Sequence, residues 1–172
     1  HSDKLKLMAE CMLKLIKKNG TIIIEVQYLM NTLKDVTFDN IYHEHYNYWS
    51  LTSLVNFFNN LSAKIYRAQI VDTGGGSIRI YVKKNNKVTI EKSVKELLKE
   101  EEKFGIKKYQ TYKDFAEKVY KIRDNVKKNI SKLAKNNNLS SSEAIISFNL
   151  LVLIFWFPIN SILVILVCSP RS

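Results

Sequence analysis

Cysteine is scarce in this chain. Cys11 and Cys168 are the only two, and no C-x-x-C is present. Two such residues cannot build a disulfide framework or a cysteine-based zinc site, and a reducing, cytoplasmic setting is expected. Histidine is nearly as rare, with three in all. A metal centre is therefore not expected. Acidic residues are the third shortage: 16 Asp and Glu stand against 27 Lys and Arg, for a formal net charge of +11. An excess of that sign suits a nucleic acid, an anionic membrane or an anionic substrate such as a nucleotide. The aromatic–basic interleaving that stacks bases is not evident, so nucleic acid is not expected as a partner. The many Lys, Asn and Ile residues also read as the coding bias of AT-rich DNA. The chain opens His1-Ser2-Asp3, with neither an initiating Met nor an apolar leader. That start reads as the middle of a protein rather than a secretory signal.

What is present suits a globular α/β protein. The 172 residues suffice for one domain or two small ones, and 46% hydrophobic with 25% charged residues is ordinary. Ser2 suits an N-cap, and Leu5, Met8, Met12, Leu15 and Ile16 form a helical stripe, with Cys11 on the apolar side and Gly20 at the C′ position. Thr21 to Val26 is a continuous β-branched run, which predicts a strand buried on both faces in a parallel sheet. Ser50 or Thr52 caps a second helix with Leu54, Val55, Phe58 and Leu61 inward. Ala63–Val71 and Ser77–Lys83 flank a glycine turn and predict a hairpin, with Ile78, Ile80 and Val82 inward. Residues 88–104 predict a charged helix with Thr89 as its cap and Gly105 as its stop. A longer helix runs from about Thr111 to Asn136, its stripe of Tyr112, Phe115, Val119, Ile122, Val126, Ile130 and Leu133 facing a packing partner.

The character changes after Asn136. From Ala144 to Cys168 there is no charge at all. A run of that length is enough to span a bilayer, although Asn149, Pro158 and Asn160 interrupt it. A membrane-tethered basic protein is the alternative reading of the whole chain, and a membrane partner is expected only if residues 144–168 are a genuine anchor.

The densest chemistry lies in Phe38-Asp39-Asn40-Ile41-Tyr42-His43-Glu44-His45-Tyr46-Asn47-Tyr48. Two histidines, a glutamate and three tyrosines are groups that move protons near neutral pH and hydrogen-bond oxygens. The segment follows the carboxyl end of a predicted strand, where open α/β sheets bind ligands. Three motifs stand in order: Glu25-Val26-Gln27-Tyr28-Leu29, Phe38 to His45, and Gly75-Gly76-Ser77-Ile78-Arg79. This order resembles the sugar C-methyltransferase family, S-adenosylmethionine-dependent enzymes that act on nucleotide-linked deoxysugars. The resemblance covers residues 1 to about 135.

The resemblance implies a partial Rossmann-like methyltransferase sheet, its C-terminal half (residues 1–87), then a helical connector (88–138) and a hydrophobic tail (139–172). The tail departs from the family, and its composition fits an out-of-frame translation from about Leu139. The family's zinc-binding module and its glycine-rich strand–turn–helix for the cofactor have no counterpart here, so S-adenosylmethionine is implied for the intact family while its binding by this chain alone is not expected. A nucleotide sugar is the implied substrate, methylated at the carbon beside a ketone. His45 matches the implied catalytic base, Tyr42 a donor to the developing oxyanion, and Glu44 a group that orients a partner or binds sugar hydroxyls. His1, Gly75, Gly76, Ser77 and Arg79 match substrate-binding positions, Arg79 toward the phosphate. His43 is expected to face away. Gly74, Tyr46 and Trp49 depart from the family pattern. No oligomeric state follows from these residues.

Overall fold

The computed structural model describes residues 2–41, 44–73, 75–84 and 87–136, together with the backbone of 163–167. The expected tail, residues 139–172, lies outside the described residues apart from that short stretch. Two compact units divide the chain, residues 1–107 with 160–172, and residues 108–159.

The first unit is built on an antiparallel sheet. Helix α1 (Leu5–Leu15) precedes strand β1 (Thr21–Gln27), and α2 (Leu29–Asp35), a 3-10 turn (Phe38–Asn40) and α3 (Leu51–Asn60) follow it. Strands β2 (Lys64–Val71) and β3 (Ser77–Lys83) form the predicted hairpin, and α4 (Lys92–Phe104) closes the unit. The spatial order is β2-β3-β1, and a fourth strand, β4 (Leu163–Val167), pairs antiparallel with the other edge of β1. Strand β3 is antiparallel to both β1 and β2, so those two run in one direction with β3 inserted between them.

This corrects the expectation for β1. Its named partners are antiparallel, and its burial alternates rather than covering both faces. Glu25 and Gln27 interrupt the apolar run on one side, so only the Ile22–Ile24–Val26 side is fit for a dry core. Cross-strand partners share a face. Ile22, Ile24 and Val26 therefore stand with Val82, Ile80 and Ile78, and these with Ile65, Ala68 and Ile70. Ile22, Ile78, Ile80 and Val82 are completely buried. Helix α3 contributes Leu51, Leu54 and Phe58 to the core and α4 contributes Val94 and Leu97, both helices packing against β2. The opposite face carries Glu25, Gln27, Ser77, Arg79, Tyr81 and Gln69.

Local signals explain most boundaries. Ser50 and Ser53 form a reciprocal capping box at the start of α3. Gly105 ends α4 in the left-handed conformation at φ 84°. Helix α4 begins at Lys92 rather than near Thr89, because the Glu91 N–H is taken by the Tyr66 carbonyl at 2.8 Å. In α1 the buried stripe is Ala9, Met12, Leu13 and Ile16, which turns Cys11 and Leu15 outward. Cys11 is therefore exposed and not core packing. Gly20 closes a turn onto the Lys17 carbonyl five residues beyond the helix end, not at its C′ position.

One buried carboxylate ties three elements together. Glu101 of α4 is completely buried. It accepts the Leu51 N–H (2.5 Å), the Thr52 N–H (2.8 Å), the Thr52 hydroxyl (2.6 Å) and the Tyr28 hydroxyl (2.9 Å). The two N–H groups open α3, where backbone donors lack intrahelical acceptors and the helix dipole favours a negative charge. Burial, and then the Glu101 charge, push the Tyr28 phenol far above its ordinary 10.0, which keeps it a donor.

In the second unit, α5 (Tyr109–Asn136) is one continuous helix. Of its stripe, Tyr112, Ile122, Val126 and Leu133 are exposed. No helix of the described residues is long and apolar enough to cross a membrane.

Removing donors from a buried carboxylate, or the carboxylate itself, costs more than an average hydrogen bond. Tyr28→Phe is expected to lower stability by about 2 kcal/mol and Glu101→Ala by about 3 kcal/mol or more. Urea unfolding measures both, and Tyr28→Phe supplies the comparison if Glu101→Ala does not fold.

Candidate active site

The segment after β1 turns back on itself at the strand's carboxyl end. The Leu29 N–H donates to the Trp49 carbonyl at 2.9 Å, and Tyr28 and Trp49 form an isolated parallel bridge. The loop is thus closed at its base, with α2, the 3-10 turn and residues 41–48 between the closing points. Trp49 is fixed in turn by an edge contact with Phe57 of α3.

Inside this loop, Asn40 is the buried pivot, 4% exposed. Its carbonyl lies 2.7 Å from His45 Nδ1. A carbonyl oxygen only accepts, so Nδ1 carries the proton. In the neutral ring Nε2 is then the acceptor nitrogen, the form a general base needs. Tyr48 meets the His45 ring edge-on, with centroids 6.2 Å apart. His45 is half-buried and Glu44 exposed. Asn47 Nδ2 donates to the Ser2 carbonyl at 3.4 Å, which brings the start of the chain to this loop. His1, Tyr42, His43 and Gly74 lie outside the described residues.

The glycine turn meets the same loop. Gly75 and Gly76 both have positive φ, 80° and 100°. The Gly76 carbonyl accepts the Tyr28 N–H at 3.2 Å. A Cβ on Gly76 would stand 2.2 Å from Asn31 Nδ2, and one on Gly75 would stand 3.9 Å from Asn40 Nδ2. The structure therefore brings His45, Gly75, Gly76 and the buried Ser77 to one end of β1, linked through Asn31 and Asn40. Ser77 donates its hydroxyl to the Thr73 carbonyl at 3.0 Å.

Arg79 stands further along β3. It donates from Nε and Nη2 to Glu25 Oε2 at 2.9 and 2.7 Å, while Thr73 donates to Glu25 Oε1 at 2.6 Å. The Thr73 hydroxyl first, and the Arg79 guanidinium with it, hold the Glu25 carboxyl below its ordinary 4.5. A phosphate contact by Arg79 has only the remaining guanidinium donors to use. Sequence reasoning gave no role to Asn31, Asn40, Gln27 or Glu101. Asn40 lies within the quoted Phe38–His45 motif, but its hold on His45 becomes visible only when the loop is folded.

Among the described residues, no group of three His, Cys, Asp or Glu side chains is arranged to hold a metal ion. The clustered glycines join two antiparallel strands rather than a strand and the helix that follows it, so they are not a dinucleotide-binding turn.

Residues 72–141 match the C-methyltransferase C-terminal domain. That segment runs through the glycine turn, β3, α4 with Glu101, and α5. The chain is also 32% identical over 114 residues to C-methyltransferase NovU of Streptomyces niveus. Together these matches support a C-methyltransferase family fragment. The alignment covers 66% of this chain and 27% of that relative, so the chain spans about a quarter of the relative's length.

Two outcomes follow for this corner of the chain. Gly76→Ala forces a strained φ and a contact with Asn31, and is expected to cost about 1–3 kcal/mol in thermal unfolding, more than Gly20→Ala, where no positive φ is needed. Glu25 binds its proton less readily when folded than when unfolded. Its stabilisation is present above pH 4.5 and is lost as pH falls through the lowered value. Glu25→Gln is expected to flatten the fall of unfolding free energy below pH 4.5, measured by urea titrations at several pH values.

Proposed function

We propose that this chain supplies the proton-abstracting part of a C-methyltransferase that acts on a nucleotide-linked keto-deoxysugar. The carbon beside the ketone loses its proton to His45 Nε2, and the electron pair moves into the ketone as an enolate. The observation that carries this reading is the Asn40 carbonyl holding the Nδ1 proton of His45 at 2.7 Å, which leaves Nε2 as the basic nitrogen at the carboxyl end of β1. The family assignment supports it. So does the matched motif order, although it assigns Tyr42 as donor to the enolate oxygen from resemblance alone. Glu44 then orients a partner or a sugar hydroxyl, and His1, Gly75, Gly76 and Ser77 contact the sugar. Arg79, held by Glu25, presents its remaining donors toward the phosphate. S-adenosylmethionine is the methyl donor the family implies.

The sheet supports a Rossmann-like reading of the same kind. Strands β1 and β2 run in one direction and are joined through α3, with β3 inserted between them. A ligand at the carboxyl end of β1 then occupies the position open α/β sheets favour.

The test is hydrogen–deuterium exchange at the sugar carbon beside the ketone, followed by NMR on a nucleoside-diphosphate 4-keto-6-deoxyhexose with the protein that carries this sequence. The unaltered protein is expected to exchange that hydrogen and, when S-adenosylmethionine is supplied, to methylate the carbon. His45→Gln is expected to slow both by at least about a hundredfold. Equal rates for the two proteins would remove His45 as the base.

A further inference from the structure

Among the described residues, two buried side-chain nitrogen or oxygen atoms have no hydrogen-bond partner: Gln27 Nε2 and Thr37 Oγ1. A buried donor without an acceptor costs stability, and native structures rarely leave one unless a ligand or water completes it. Both belong to the segments already described. Gln27 is the last residue of β1, and Thr37 leads into the 3-10 turn, where its carbonyl accepts the Asn40 N–H.

The register puts Gln27 opposite Ser77, on the sheet face that also carries the Glu25–Arg79 pair. Gly76 is adjacent to Ser77 and lies under Asn31. The charged groups on this face are occupied with each other, with Arg79 Nη2 2.7 Å from Glu25 Oε2. Beside that ion pair stand neutral donors and acceptors: the amides of Gln27, Asn31 and Asn40 and the Ser77 hydroxyl. Neutral amides match the hydroxyl and carbonyl oxygens of a sugar, whereas a phosphate draws cations. A strand-end residue is also held more firmly than one on a loop.

We propose that Gln27 is a substrate-recognition residue whose amide N–H donates to an oxygen of the sugar ring or its substituents. The inference rests on the functional reading above and adds a residue and a contact to it. Ligand-free, Gln27 Nε2 is buried and unsatisfied. With the sugar bound, its missing acceptor is supplied, so the residue trades stability of the empty site for selectivity.

The test compares the unaltered protein with Gln27→Met and Gln27→Glu. Isothermal titration is run with a nucleoside-diphosphate 4-keto-6-deoxyhexose and with the nucleoside diphosphate alone, and melting temperatures are measured without ligand. Gln27→Met is expected to melt at or above the unaltered protein and to bind the sugar nucleotide about tenfold more weakly, with the nucleoside diphosphate unchanged. Gln27→Glu, which replaces the donor with an acceptor, is expected to bind the sugar nucleotide more weakly still. Unchanged sugar-nucleotide binding in Gln27→Met overturns the inference and leaves water as the occupant. Equal weakening for both ligands overturns it as well, since the contact is then to the nucleotide. A melting temperature that falls in Gln27→Met shows an amide already satisfied in the empty protein, with the same consequence. No binding of either ligand by the unaltered protein overturns the functional reading together with the inference.

Discussion

Everything near the candidate active site hangs from the carboxylate of Glu101. A buried charge is costly unless donors surround it, and here four do. Two of the four are the opening N–H groups of α3, which lack acceptors in their own helix. The fourth, Tyr28, is the residue immediately after β1. A single side chain from α4 therefore fixes the end of the strand and the start of the helix that bound the His45 loop. The loop is long and lightly packed, with Phe38, Ile41 and Tyr46 exposed, so its order depends on its two ends more than on its own contacts.

Holding the ends constrains the chemistry between them. The Tyr28–Trp49 closure leaves Asn40 buried inside the loop, and Asn40 uses its backbone carbonyl on His45 and its side chain against the glycine turn. The proton on Nδ1 is thus set by a main-chain acceptor that cannot titrate. Glu25, Arg79 and Thr73 bond to one another along the sheet face.

Much of this fold was legible in the chain. Strict alternation of Ile78, Ile80 and Val82 identified β3 and its inward face. The triple glycine marked the hairpin, Ser50 capped α3, and Gly105 stopped α4. The pairing of β1 was not legible. A β-branched run reports burial, and it cannot say that the next strand but one inserts beside it antiparallel. Helix α1 was found with its phase misjudged, because five apolar residues and Cys11 allow two overlapping stripes and only tertiary contact chooses Ala9–Met12–Leu13–Ile16. Helix α2 was missed, being seven residues inside a stretch read as loop. Glu101 was the deepest omission in role. Within Glu100-Glu101-Glu102 it resembles any solvated charge, and its burial depends on an α3 terminus fifty residues earlier in the chain.

The motif order located the candidate site, while its working parts depend on distances that no spacing contains. The histidine was visible as a proton-moving group, but its tautomer is a property of the Asn40 carbonyl. Gln27 was visible only as the third residue of a matched motif, and its unsatisfied amide is a property of the β1–β3 register. These two groups sit on supports of different stiffness. Gln27 is part of a ladder whose neighbouring strand is completely buried at Ile78 and Ile80, so it has little freedom to move toward a ligand. His45 sits on a loop held at its base, with its ring on the Asn40 carbonyl. A substrate that first engages the fixed donors on the strand would therefore be oriented before the imidazole has to meet its acidic hydrogen. On the proposed reading, the rigid end would select the ligand, and the softer end would retain the small adjustment that proton transfer requires.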